Sequence, residues 1–386
     1  MDTIYFDNAA TSFPKARGVG DAVKELLDCG AFNIGRGGYE NAYELSARVL
    51  DVRSRIKRLF NAPGDSAVCF TSGVTFALNQ FLRGILRPGD HVIASSMEHN
   101  AVMRPLHTLE QNGVEVTVAQ CERDGTLDPN RIAEAFQENT RAVVCIHASN
   151  VCGTLLPIAE IGALCRGRGI WFAVDAAQTA GIYPIDMQAM KIDFLAFPGH
   201  KGLRGPQGVG GFVIKEALAK ELAPITEGGT GSRSDSEEQP EFLPDRFESG
   251  TLPLPAIIGL GQALRVLEEE GINTAYQREM ELTARFLNGI HEIPGAKIAG
   301  ISDLARQNQR LGVVSVDFSP LDNAMVAFDL EQQAGVMTRV GLHCAPRAHK
   351  TLGTFPQGTV RFSFGPENTP QEVDACLLAI RSITDK

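Results

Sequence analysis

A chain of 386 residues is too long for one ordinary hydrophobic core and points to two domains, or to one large α/β domain carrying a smaller one. Hydrophobic residues at 44% and charged residues at 21% are those of a globular protein and exclude a disordered or fibrous one. With 36 basic against 46 acidic side chains the formal charge is −10, which argues against a nucleic-acid surface and leaves small solutes as the expected partners.

The amino-terminal MDTIYFDNAATSFPK has no basic stretch followed by an apolar one, so no secretory signal is read and a cytoplasmic location is expected. The longest apolar runs, at 142–146 and 170–174, fall far short of the roughly 20 residues that a bilayer crossing needs, so no membrane association is expected. Apolar or β-branched runs at 67–70, 91–94, 115–119, 141–146, 170–174, 193–197 and 211–214 alternate with segments of helical periodicity. Of these, 40–60, 100–112 and 157–166 are the clearest. The alternation predicts βα units on a mostly parallel, seven-stranded sheet, an α/β fold. From 227 to 251 the chain is rich in Gly, Ser, Pro and charge and has no periodicity. A polar loop of that length is usually functional, and this one is expected to border the active site. Beyond about 255 a long helical region precedes strands at 312–318 and 359–364 and helices near 322–334 and 370–384, the pattern of a smaller α+β domain. The eight cysteines include no CxxC pair and are expected to be buried apolar residues, not a disulfide framework.

The run DFLAFPGHKGLRGPQGVGGFVI places Lys201 just after a buried strand, at the carboxyl end where open α/β sheets bind their ligands. IWFAVDAAQTAG sets Asp175 at the end of another such strand. A lysine in low-dielectric surroundings favours its neutral form and can form an imine with an aldehyde cofactor. An aspartate against a pyridinium nitrogen keeps it protonated and strengthens the ring as an electron sink. Alone, Lys201 reads as well as a surface lysine in a turn, and Asp175 as a helix N-cap. The third element is CFTSGVTFALNQFL, where 71–75 joins an apolar strand to a helix. Backbone N–H groups at such a helix start suit a phosphate, although the same residues also serve as ordinary caps.

In order, DNAAT, TSGVT, MEHNA, SNVCGT, VDAAQ, GHKG, RFESGT and RVGLHCA resemble the cysteine desulfurase and selenocysteine lyase family of class V, fold-type I pyridoxal-phosphate enzymes. The resemblance implies a large cofactor domain over 15–255, a small domain built from 1–14 and 256–386, and a homodimer whose active site is shared between subunits. It implies Lys201 as the lysine bonded to pyridoxal 5'-phosphate, Asp175 at the ring nitrogen and Gln178 at the phenolic oxygen. His99 would stack on the ring and move protons. Val74, Thr75 and His200 would hold the phosphate, with Thr251 lent across the dimer interface. Asn150 and Arg361, with Arg339 beside them, match residues that hold the substrate carboxylate, a task suited to a planar guanidinium. Cys344 matches the nucleophile that takes sulfur or selenium from L-cysteine or L-selenocysteine, releasing L-alanine and passing the atom to a protein acceptor. Arg339 and His343 are positive or polarisable neighbours that favour its thiolate. The other seven cysteines are read as interior, with Cys152 left open by its closeness to Asn150. No metal site is expected.

Two positions depart from the family's pattern. Pro198 stands where many members have a hydroxyl residue before GHK, so a phosphate hydrogen bond is missing or supplied elsewhere. Leu342 stands where the sulfur-mobilising branch often has a histidine. The segment around Cys344 resembles the branch with a short, ordered cysteine loop. Within the same cofactor class the alternative reaction is β-elimination to pyruvate and ammonia. A transaminase would have no use for Cys344, and a cofactor-free scaffold none for Lys201 and Asp175.

Overall fold

The computed structural model describes residues 3–30, 32–34 and 37–385. In chain order β1 (Ile4–Tyr5), α1 (Val19–Cys29) and α2 (Glu40–Leu59) come before the main sheet. The sheet segment comprises β2 (Ser66–Thr71), α3 (Val74–Ile85), β3 (His91–Ser95), α4 (Asn100–Glu110), β4 (Glu115–Ala119), α5 (Asn130–Glu134), β5 (Thr140–Ile146), α6 (Ile158–Arg168), β6 (Trp171–Asp175), β7 (Phe194–Pro198), β8 (Gly210–Lys215) and α7 (Glu216–Glu221). The 227–251 loop is irregular apart from one 3-10 turn at Asp245–Phe247. After it come α8 (Leu254–Glu270), α9 (Ile272–His291), β9 (Lys297–Ala299), β10 (Val313–Asp317), α10 (Asn323–Ala334), β11 (Val336–Met337), β12 (Arg339–Gly341), α11 (Pro346–Leu352), β13 (Thr359–Ser363) and α12 (Pro370–Thr384).

All seven expected strands form, in the order β2-β8-β7-β6-β5-β3-β4, with β8 antiparallel to both neighbours and the other pairs parallel. Alternate side chains serve opposite faces. Val143, Cys145, Phe172, Val174 and Leu195 meet α2, α6 and α8 in one core, while Ala142, Val144, Ala173 and Phe194 meet α3 and α4 in the other. After the edge strand β4 the chain returns to lay β5 on the far side of β3. The winding therefore reverses between β3 and β5, where doubly wound sheets leave a crevice at their carboxyl ends. His99 follows β3, Asn150 follows β5, Asp175 closes β6 and Lys201 follows β7.

The smaller sheet, β12-β13-β10-β9, is covered by helices that share its core, with Phe286 of α9 and Cys376 of α12 packed among Val314 and Phe362. One expectation differs. Helix α8 lies beyond most of 15–255, yet Ile257, Leu260 and Leu264 pack with Val49 and Val52 of α2 in the large core. At Gly261 an added Cβ would lie 2.6 Å from Val52 Cγ2, so the approach of the two helices depends on that glycine. The chain leaves the large core at Gly271, whose φ of 78° ends α8 in a conformation other residues rarely adopt.

Residues 4–12 act as a strap between the two units. β1 pairs with β11, Asp7 bridges to Ser363 of β13, and the Ser12 amide then donates to the His200 carbonyl at 3.0 Å. Among the described residues no helix is long and apolar enough to cross a membrane.

Candidate active site

Lys201 sits in a tight turn after β7, where an added Cβ on Gly202 would come within 2.5 Å of the Ala180 carbonyl oxygen. Burial pushes the Lys201 amine down to about 8; Asp175 opposes the shift, and Arg361 and Arg339 add to it. Among the described residues Nζ has no hydrogen-bond partner. Asp175 is 1% exposed, and burial raises its carboxyl to about 6 against the pull of the Ala177 amide, 2.8 Å from Oδ1, and of Lys201. Gln178, also buried, donates from Nε2 to the Ala9 carbonyl at 3.1 Å.

His99 caps α4: its Nδ1 accepts from the Ala101 amide at 3.0 Å, which leaves the ring proton on Nε2. Burial, helped by Lys201, lowers its pKa to about 4, so the ring is neutral at pH 7. Glu98, one residue earlier, accepts from the Ser95 hydroxyl and from the Ile146 amide at 2.8 Å, and burial raises its carboxyl to about 8. Helix α3 begins at Val74 with no side-chain cap, so the first amides, those of Val74 and Thr75 included, have no intrahelical acceptor. The place a Gly73 Cβ would take is open, whereas a Cβ on Gly210 would meet the Gly73 Cα at 2.9 Å. The loop is thus pressed against the β7–β8 end, where Pro198 pairs with Gly210. His200 Nδ1 lies 3.1 Å from the Thr11 hydroxyl, and burial keeps this ring neutral too, with a pKa of about 4. An amine without a partner, a buried carboxylate, an amide and an uncapped helix start together fit a phosphorylated pyridine aldehyde.

Cys344 is exposed, with φ 56°, directly after His343 with φ 48°. Two successive non-glycine residues in the left-handed region persist only where their surroundings hold them. Asn150 Nδ2 donates to the His343 carbonyl at 2.8 Å, and the Asn100 amide donates to the Cys344 carbonyl at 2.8 Å. His343 Nε2 lies 3.1 Å from the Thr359 hydroxyl. Burial lowers the His343 pKa to about 2, helped by Arg361 and Arg339, so this ring supplies no positive charge to the thiol. Arg361 donates from Nη1 to the Asn150 carbonyl at 3.0 Å and from Nη2 to Asp7 Oδ1 at 2.7 Å. Its Nε, and Oδ1 of Asn150, are buried without a partner among the described residues. Arg339 is the register partner of Arg361 across β12 and β13.

Thr251 stands apart. It is exposed and lines a cavity of about 390 Å³ with Arg53, Gly229 and Glu248, and that lining includes none of Lys201, Asp175, His99 or Cys344. Glu248 is fastened by Arg53 at 2.7 and 2.6 Å and by the Phe70 amide at 2.6 Å. Cys152 is buried, with its thiol 3.2 Å from the Thr154 hydroxyl. Cys29 corrects the expectation of seven interior cysteines: it ends α1 and is exposed. Sequence reasoning passed over Asp7, Lys15, Glu98 and Asn100. All but Lys15 lie inside quoted motifs, and the Lys15 amine donates to the His200 carbonyl at 3.1 Å.

The sequence model of the aminotransferase class-V family matches residues 4–376. A probable cysteine desulfurase from Methanothermobacter thermautotrophicus is 33% identical over 380 residues, covering 96% of this chain and 92% of the relative. The cysteine desulfurase IscS of Vibrio cholerae is 32% identical over 392 residues, with 99% and 93% covered. Among solved structures, the apo cysteine desulfurase of Thermococcus onnurineus NA1 superposes with a TM-score of 0.92 at 29% identity, covering 99% of this chain and 95% of that one. The cysteine desulfurase CsdA of Escherichia coli, in an S-sulfonic acid form, gives 0.88 at 29% identity with the same coverage.

Proposed function

This chain belongs to the aminotransferase class-V family, among its cysteine desulfurases, and from that premise we propose that it takes the sulfur of L-cysteine onto Cys344 and releases L-alanine. The observation that carries the reading is the double use of Asn150. Its amide fixes the backbone beside the exposed Cys344, while its carbonyl orients Arg361. A thiol nucleophile and a carboxylate receptor are thereby built on one residue.

Lys201, Asp175, Gln178, His99, His200 and the α3 start at Val74 and Thr75 would hold pyridoxal 5'-phosphate, which would supply an electron sink for the bonds at the substrate Cα. Arg361 binds the substrate carboxylate through donors that include its unpaired Nε, and Asn150 assists. Lys201, whose amine is neutral above about 8, moves the proton at Cα. His99 keeps a neutral ring with its donor at Nε2. The Cys344 thiolate attacks the substrate sulfur: an S–S bond forms, the Cβ–S bond breaks, and the electron pair goes to the carbon side, where protonation gives alanine. The persulfide is left at an exposed position, open to the thiol of a protein acceptor. A second copy of the chain, lending Thr251, completes the phosphate site. L-selenocysteine is the second substrate of the same machinery.

The test is to give the cofactor-loaded protein L-cysteine and, separately, L-selenocysteine with a thiol reductant, and to measure alanine, pyruvate, sulfide and selenide. Alanine in step with sulfide or selenide supports the reading and ranks the substrates, whereas pyruvate with ammonia moves the assignment to β-elimination. Cys344→Ala is expected to keep the visible absorbance of the bound cofactor and to lose sulfide release by about 10³-fold. Sulfide release at the full rate in that variant would remove Cys344 from the mechanism.

A further inference from the structure

Arg361 is 2% exposed, and Arg339 stands directly opposite it in the β12–β13 register. Like charges directly opposite across a strand pair repel, and a buried guanidinium left without a partner is costly. Among the described residues Asp7 is the one carboxylate in an ion pair with Arg361, at 2.7 Å, and Arg339 is in none.

The clamp takes only part of the fork. Asp7 holds Nη2 and the Asn150 carbonyl holds Nη1, while Nε is buried and unpaired. Asp7 is itself held, since it bridges to Ser363, its carbonyl accepts from the Tyr5 hydroxyl at 3.2 Å, and the next two amides both bond Ser363. A guanidinium on a flexible stem has many rotamers, and this one is fixed from two sides, by Asp7 just after β1 and by the Asn150 carbonyl in the turn after β5.

We infer that Asp7 is a positioning residue for substrate recognition, holding the Arg361 guanidinium in the orientation that offers its free donors to the substrate carboxylate. This rests on the reading of Arg361 as the carboxylate receptor. Asp7 touches none of the reacting atoms and is the weakest of the influences on the Lys201 amine, so its removal acts chiefly on binding.

The experiment is steady-state kinetics with L-cysteine on the cofactor-loaded enzyme, with thermal melting and cofactor absorbance as controls. Asp7→Ala is expected to raise KM at least tenfold with kcat within twofold. Asp7→Asn, whose amide oxygen still accepts from Nη2, is expected to keep KM within threefold. In an Arg361→Ala background, Asp7→Ala is expected to change kcat/KM no further. Asp7→Ser carries the same expectation as Asp7→Ala and serves if the latter does not fold. An unchanged or lowered KM in Asp7→Ala or Asp7→Ser overturns the inference, as does a further loss in the Arg361→Ala background. If Arg361→Ala itself leaves KM unchanged, the receptor reading has failed, and Asp7 falls with it.

Discussion

The side-chain amide of Asn150 crosses 193 residues of sequence to donate to the His343 carbonyl at 2.8 Å. That bond holds the first of the two left-handed residues that present Cys344. Removing it costs about 1 kcal/mol of loop order, and Asn150→Ala also loses the proposed carboxylate contact. A fall in kcat/KM of roughly 10- to 100-fold is expected. Asn150→Asp sets an oxygen against the His343 carbonyl and a negative charge against the substrate, so it falls further. Equal rates for the two variants in steady-state assays would count against both roles.

In the proposed reaction Lys201 acts as a free base, and its pKa of about 8 compares with an ordinary 10.5. The neutral fraction grows as pH rises through the folded value. In cofactor-free enzyme, the rate of recombination with pyridoxal phosphate should climb from pH 6.5 and level off above about 9. Asp175 raises the Lys201 pKa, so Asp175→Asn should move the midpoint lower. A rate still climbing beyond pH 10 would mean that the amine is not desolvated in solution.

Glu279 is buried on α9, with Oε1 2.9 Å from the Gly312 amide, and burial raises its carboxyl from 4.5 to about 8. Between those values the folded state holds a proton that the unfolded chain has released. Its contribution is therefore complete below about 4.5 and is lost as pH rises toward 8, by on the order of 5 kcal/mol in all. Glu279→Gln never ionises. Its melting temperature relative to the parent should rise from pH 5 to pH 8, and a constant difference would show that Glu279 stays charged.

The Arg53–Glu248 pair has side chains 13% and 5% exposed. Breaking one partner of a buried pair strands the other, at about 3–5 kcal/mol. Arg53→Ala should destabilise by that order in urea unfolding and loosen the turn that carries Thr251. A loss below 1 kcal/mol would mean that water replaces the guanidinium.

The sheet was legible because each strand is a short apolar run bounded by polar turns, and Lys201 and Asp175 were legible because both end such runs. Cys344 and Arg361 sit in the smaller domain, where periodicity says nothing of what a side chain faces, and only the family resemblance marked them. Asp7 was quoted as part of DNAAT without a role, since its partner is 354 residues away and no local pattern encodes that pairing. The division at 255 missed α8 because an apolar helix carries no label for the core it joins. Gly261 is the signal that could have helped, being a small residue where two helices press together.

The strap also sets an order of assembly. During synthesis all strands of the seven-stranded sheet, with Asp175 and Lys201 at the carboxyl ends of two of its central strands, have emerged once residue 215 is out. Residues 4–7 must then wait for Val336, Arg361 and Ser363 before they have anything to pair with. A nascent chain therefore carries the proposed cofactor lysine long before the guanidinium proposed to receive the substrate, and its earliest segment is among the last to find its place.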